Sequence, residues 1–142
     1  MTTRKIGLVA TCALAGMVVA APAPAHHSFA YFDMSKNSTF DGTVVEYRWE
    51  NPHTHIIIKV APGAADSSTV GTWDVEGGSV NIMMRQGWKK SLFKPGDHIV
   101  VIGHPMKDGS KGASLFYAQL DDGTKLYHDI SRPGASQASA PQ

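Results

Sequence analysis

The chain has 142 residues, with 13 basic and 12 acidic side chains, a formal net charge of +1 and one cysteine. Removing the first 25 residues takes Arg4, Lys5 and Cys12 with them and leaves 117 residues, 11 basic and 12 acidic, with no cysteine. Such a chain excludes a disulfide-stapled fold, a cysteine-ligated zinc site and a thiol nucleophile. It also lacks the basic surface that broad nucleic-acid binding needs, and its size suits one domain.

The chain starts with a short basic stretch, Met1 to Lys5, and continues with a nearly all-apolar run from Ile6 to Ala20. Ala21-Pro22-Ala23-Pro24-Ala25 then breaks any helix with small residues, which is the layout of a secretory signal peptide over residues 1–25. The apolar run is short of the roughly 20 residues of a membrane span, so no stable span is expected after cleavage. Cleavage after Ala25 uses Ala23 and Ala25 as the small recognition residues and leaves His26, then His27, at the new terminus. Cleavage after Ala20 is the alternative. The address is periplasmic or secreted.

Residues 26–37, with Phe29, Tyr31 and Phe32 but no clean period, read as an extended arm that docks on the core. Thr39 to Trp49 alternates as a strand, with Thr43, Val45, Tyr47 and Trp49 on one face and Val44, Glu46 and Arg48 on the other. Gly42 marks a bulge or sharp bend in it, and Asn51-Pro52 is a turn. His53 to Val60 is a second strand, with Ile56, Ile58 and Val60 on one face. Val70 to Glu76 is a third, with Trp73 and Val75 inward. Ser79 caps a short helix in which Val80, Met83 and Met84 recur at helical spacing, and Gly87 ends it. Ile99 to Gly103, Ser114 to Leu120 and Lys125 to Asp129 follow as strands, the last two joined at Asp122-Gly123. Residues 132–142 are too rich in Pro, Gly, Ser, Ala and Gln to bury a core and read as a disordered tail.

Three strands, a helix, two strands and a hairpin arm predict an all-β domain over residues 38–131. The architecture is a small five- to six-stranded barrel of the oligonucleotide/oligosaccharide-binding (OB) type, in the order β-β-β-α-β-β, whose long bent first strand lets the sheet close. A small open sandwich is the competing architecture, but it has no natural place for a helix between the third and fourth strands.

All seven histidines follow the leader: His26, His27, His53, His55, His98, His104 and His128. A terminal histidine chelates a metal through its α-amine and ring nitrogen together, and such nitrogen donors suit Cu(II) while also accepting zinc. His53 and His55, two apart on a strand, point to the same side and can converge on one ligand. The two pairs join into one site if the arm runs beside the second strand. His98 and His104 share a strand face but stand about 20 Å apart, too far to share a metal. His104-Pro105-Met106 reads as a loop histidine with a gap-filling methionine. Met83 and Met84 read as core. Arg85, Lys89, Lys90 and Lys94 form a basic cluster that reads first as a solvated face answering the helix dipole, with an acidic partner or membrane surface as the alternative. Tyr47, Trp49, Trp73 and Trp88 read as core or half-buried positions rather than a sugar platform.

Ala25-His26-His27-Ser28-Phe29, Trp49-Glu50-Asn51-Pro52-His53, Gly87-Trp88 and Lys94-Pro95-Gly96-Asp97 together resemble a family of short exported bacterial proteins known as a domain of unknown function. The resemblance implies export and a single small β-rich domain, and it supplies no activity. The sequence shows no nucleophile elbow, phosphate loop or His-Glu-x-x-His helix, so it does not support an enzyme. The functional expectation is an exported periplasmic barrel module that binds a transition metal, copper first and zinc second, through His26, His27, His53 and His55. The alternative is a non-metal periplasmic binding or stress-response module for a protein or small ligand. A copper redox activity ranks third.

Overall fold

The structure, a computed structural model, describes residues 28–128. The expected leader over 1–25 with its two cleavage positions, the His26-His27 start and the tail over 132–142 lie outside the described residues. Six strands and one α-helix follow in chain order: β1 (Ser38–Arg48), β2 (His55–Val60), β3 (Gly71–Glu76), α1 (Val80–Arg85), β4 (His98–Pro105), β5 (Gly112–Gln119) and β6 (Lys125–Tyr127). The sheet order is β3-β2-β1-β4-β5-β6, and a parallel β3–β5 pairing from Asp74↔Gly112 to Glu76↔Ser114 closes the first five strands into a barrel. This is the OB-type order, with β6 as the extra strand.

The first strand serves two neighbours. Its N-terminal half pairs with β4 from Ser38 to Thr43, and its C-terminal half pairs with β2 from Thr43 to Arg48. The bend falls at Gly42, where any Cβ would collide with the carbonyl of Lys59. The bulge itself is elsewhere. Val44 pairs with Ile58 and Glu46 with Ile57, so Val45 is the extra residue. One extra residue flips every later side chain to the other face. Phe40 and Val44 therefore face the core, Val45 is 46% exposed, and Tyr47 still packs inward. The single face expected for Thr43, Val45, Tyr47 and Trp49 is split for that reason.

The next two strands follow the alternation. Ile56, Ile58 and Val60 on β2, and Trp73 and Val75 on β3, are buried. They meet Phe40, Val44, Ile99, Val101 and Leu115 inside the barrel. Phe40 and Trp73 pack as tilted rings at 4.6 Å between centroids, and the indole N–H of Trp73 donates to the carbonyl of Thr69 at 2.6 Å.

At the helix, two expectations change. Ser79 occupies the N-cap position but makes no side-chain cap bond; the side chain of Asn51 accepts from the Val80 N–H instead, at 3.1 Å. Of the three apolar residues expected inside, only Met83 is fully buried, while Met84 is 61% exposed. One turn and a half of helix has room for one core-facing residue, and the next residue along points away. The end is as expected: Gly87 takes φ +89°, and the Trp88 and Gly87 N–H groups return to the carbonyls of Met83 and Met84. That Schellman closure sends Trp88 back into the core beside Met83.

The described part of the arm, from Ser28, makes a 3₁₀ turn to Tyr31 and then an antiparallel bridge between Phe32 and Met106. Phe32 is buried, Asp33 N–H donates to the Pro105 carbonyl at 2.8 Å, and Lys107 N–H donates to the Tyr31 carbonyl at 2.9 Å. The arm thus runs beside the end of β4.

His98 and His104 have different surroundings. His104 is buried, its Nδ1 is 2.7 Å from the Lys36 carbonyl, and its ring stacks on Phe116, the extra residue of a second bulge. His98 lies at the surface between two carboxylates, Nδ1 at 3.1 Å from Asp121 and Nε2 at 2.7 Å from Asp41. Asp121 and Asp41 together raise its pKa above the ordinary histidine value. A raised pKa stabilises the fold below the unfolded-state value near 6.5, and the gain is lost as pH rises through the folded-state value. Because the side chain is 54% exposed, the gain is screened to about 1 kcal/mol or less. His98→Gln is expected to melt below the parent at about pH 6 and level with it at about pH 9; equal melting at both values would refute the bracket's contribution.

Candidate functional site

The site is built on the outer face of β2 and β3, whose inward residues are fixed by the core. His55 opens β2 directly opposite Glu76, and Ile56↔Val75 and Ile57↔Asp74 follow. His53 lies before the strand, not on it, after a cis Asn51-Pro52 peptide. The backbone pairing nevertheless continues past the strand end. Thr54 N–H donates to the Gly78 carbonyl at 2.9 Å and Gly77 N–H to the Thr54 carbonyl at 2.8 Å, while the buried Thr54 hydroxyl adds a bond to the Gly78 carbonyl. This keeps His53 and His55 on adjoining parts of one edge although only one of them is in regular structure.

Each histidine is met by an acid from β3. His55 Nδ1 hydrogen-bonds Asp74 at 2.7 Å, and His53 Nδ1 lies 2.9 Å from Glu76. Asp74 also accepts from Arg48 Nη2 at 2.9 Å, and Arg48 Nε stands 3.8 Å from Glu46. The hydrogen bond that His55 donates to Asp74 raises the His55 pKa against the opposing effect of partial burial. Burial acts to raise the Asp74 carboxyl, but His55 and Arg48 outweigh it and hold Asp74 below the usual carboxylate value. Nε2 of each histidine is engaged by neither acid.

His26 and His27 lie outside the described residues, so the structure places two of the four expected ligands. Among the described residues, no three His, Asp, Glu or Cys side chains are grouped to hold a metal. The described arm docks on the end of β4 and not beside β2, the course on which the joining of the two histidine pairs depends; β5 stands between it and β3, since Met106 N–H donates to the Gly112 carbonyl and Gly112 pairs with Asp74. The acid partners Asp74 and Glu76, and Arg48 behind them, were not singled out from the sequence. The signal available was alternation, since Asp74 and Glu76 fall on the outward face of their strand.

His128 is also close by. A Cβ at Gly78 would lie 2.8 Å from its Nε2 and 3.3 Å from Ile82. A separate open concavity, lined by Asn37, Thr39, Asp41, Gly63 and Asp66, lies past the other end of β2. Its Asp66 is already used by Ser68 in a tight turn.

The aromatic residues are structural. Tyr47 lies 5.6 and 5.3 Å from Trp49 and Phe93 between ring centroids, and Phe93 lies 6.2 Å from Trp88, which makes a run of tilted and edge-on rings into the core. Burial pushes the Tyr47 phenol pKa up, and its hydroxyl has no hydrogen-bond partner among the described residues.

The model of a family of unknown function, DUF6152, matches residues 14–115, a stretch that takes in β1 to β4 and the start of β5. No curated protein and no solved structure matches the chain.

Proposed function

The chain belongs to DUF6152, a family of unknown function, and from its own side chains we propose that it is an exported barrel module binding a transition metal, copper first. The observation that carries this reading is the pairing of His55 Nδ1 with Asp74 and of His53 Nδ1 with Glu76. A histidine that ligates a metal through one ring nitrogen commonly gives the other to a carboxylate, which fixes the ring and makes it a better donor. Two imidazoles are half of a copper or zinc site. The remaining donors are His26, through its α-amine and ring, and His27. Supplying the ligand set with no sulfur and with an amine favours Cu(II) over softer ions.

Copper titration of protein beginning at His26 tests this beside a version with one extra residue before it. The extension is expected to weaken binding at least tenfold by removing the terminal chelate. Asp74→Asn, which keeps the shape and removes the carboxylate, is expected to weaken it about 10- to 100-fold. Equal affinity in all three proteins would refute the joint site. The strand face would then be read as a surface for a protein or small ligand.

A further inference from the structure

Between Glu76 and Asp97 the chain carries Arg85, Lys89, Lys90 and Lys94 and no acid, and Asp97 itself accepts from the Lys94 backbone N–H at 2.8 Å. From His26 onward the rest of the chain holds seven basic and 12 acidic side chains, so the opposite charge is concentrated elsewhere. All four cations are exposed, and none is in an ion pair among the described residues. Beside them stand two of the large apolar side chains that the barrel leaves outside, Ile82 at 40% and Met84 at 61% exposure.

The local fold explains this grouping. Within α1 only Met83 is fully inside, so Ile82 and Met84 flank the outward side of the helix on which Arg85 sits. The closure at Gly87 then buries Trp88 and leaves Lys89 and Lys90 at the surface one turn away. Nothing in the core requires Met84 to be apolar.

We propose that this face docks on an anionic lipid bilayer. Each cation held near an anionic surface strengthens binding about fivefold, and two apolar side chains among cations enter the headgroup layer shallowly. A protein interface of ordinary size needs about 800 Å² on each partner and an aromatic-rich, charge-poor centre. This small face, rich in cations and lacking an aromatic, fits lipid headgroups better. The segregated charge also orients the approach, with the acidic remainder repelled by the same surface.

Cosedimentation of the protein with two kinds of vesicle tests the proposal. Phosphatidylcholine vesicles containing phosphatidylglycerol are expected to bind it at low salt and release it at high salt; pure phosphatidylcholine vesicles are expected not to. Lys89→Glu with Lys90→Glu is expected to lose at least about 30-fold in affinity. Met84→Ser, which leaves charge unchanged, is expected to lose severalfold, and both variants should melt like the parent because the altered side chains are exposed. Equal binding to the two vesicles, or undiminished binding by both variants, overturns the proposal. So does no binding by folded protein, which would point instead to an acidic protein surface.

Discussion

Replacing Trp88 by alanine is expected to lower the unfolding free energy by about 3–5 kcal/mol, the usual loss for truncating a large buried aromatic. Trp88 is 1% exposed and joins three parts of the molecule. It follows the glycine that ends α1, it touches Phe93 ahead of β4, and its indole N–H donates to the Tyr127 carbonyl at 2.9 Å on β6. Removing the ring opens a cavity under the barrel and takes away one tie to the sixth strand, which keeps its ladder with β5. Trp88→Phe separates the two losses, because most of the volume stays and the bond to Tyr127 goes, at about 1 kcal/mol for the bond plus the smaller packing change. Urea unfolding of the three proteins checks this. An alanine variant within 1 kcal/mol of the parent would show that the ring does not hold these elements together.

Gly42→Ala is expected to cost about 3 kcal/mol, at the upper end of what overpacking does. The added methyl meets the Lys59 carbonyl and, at 3.0 Å, Ile58 Cγ2. A flexible side chain would move aside, but Lys59 is held in the β1–β2 and β2–β3 ladders. Relief therefore requires β1 to separate from β2 at the point where it turns towards β4. Thr39→Ala, an exposed position on the same strand, is the control and should change stability by no more than about 0.5 kcal/mol. A common denaturation midpoint for the two variants would overturn the close-approach argument.

The barrel was legible because its information is local and periodic. Ile56, Ile58 and Val60, then Trp73 and Val75, announce two half-buried strands, and the change of period at Val80 to Met83 announces the helix between strands three and four. Of the two features Gly42 announces, a bulge or a bend, the bend stands there, while the bulge falls at Val45, which carries no local signal. Pairing with β2, two strands' worth of tertiary context, decides where the extra residue goes. Ser79 takes the N-cap position without making the side-chain bond for a similar reason, since Asn51, 29 residues before Val80, is brought to the helix start only by the fold. At the candidate site the histidines stood out by type and spacing, while Asp74 and Glu76 looked like ordinary outward residues. Their significance lies in a register, Ile57↔Asp74 and His55↔Glu76, that no single strand contains.

The parallel contact between β3 and β5 is only three residue pairs long, yet it is what makes a curled sheet into a closed vessel. Its partners are far apart along the chain, so loop closure must be completed before it rewards the fold, and brief local opening will favour this junction over the longer antiparallel ladders. Asp74 belongs to that junction and also steers His55. The orientation of the imidazole is therefore tied to whether the vessel is shut, and a ligand gripping that ring would act as a latch on this short joint.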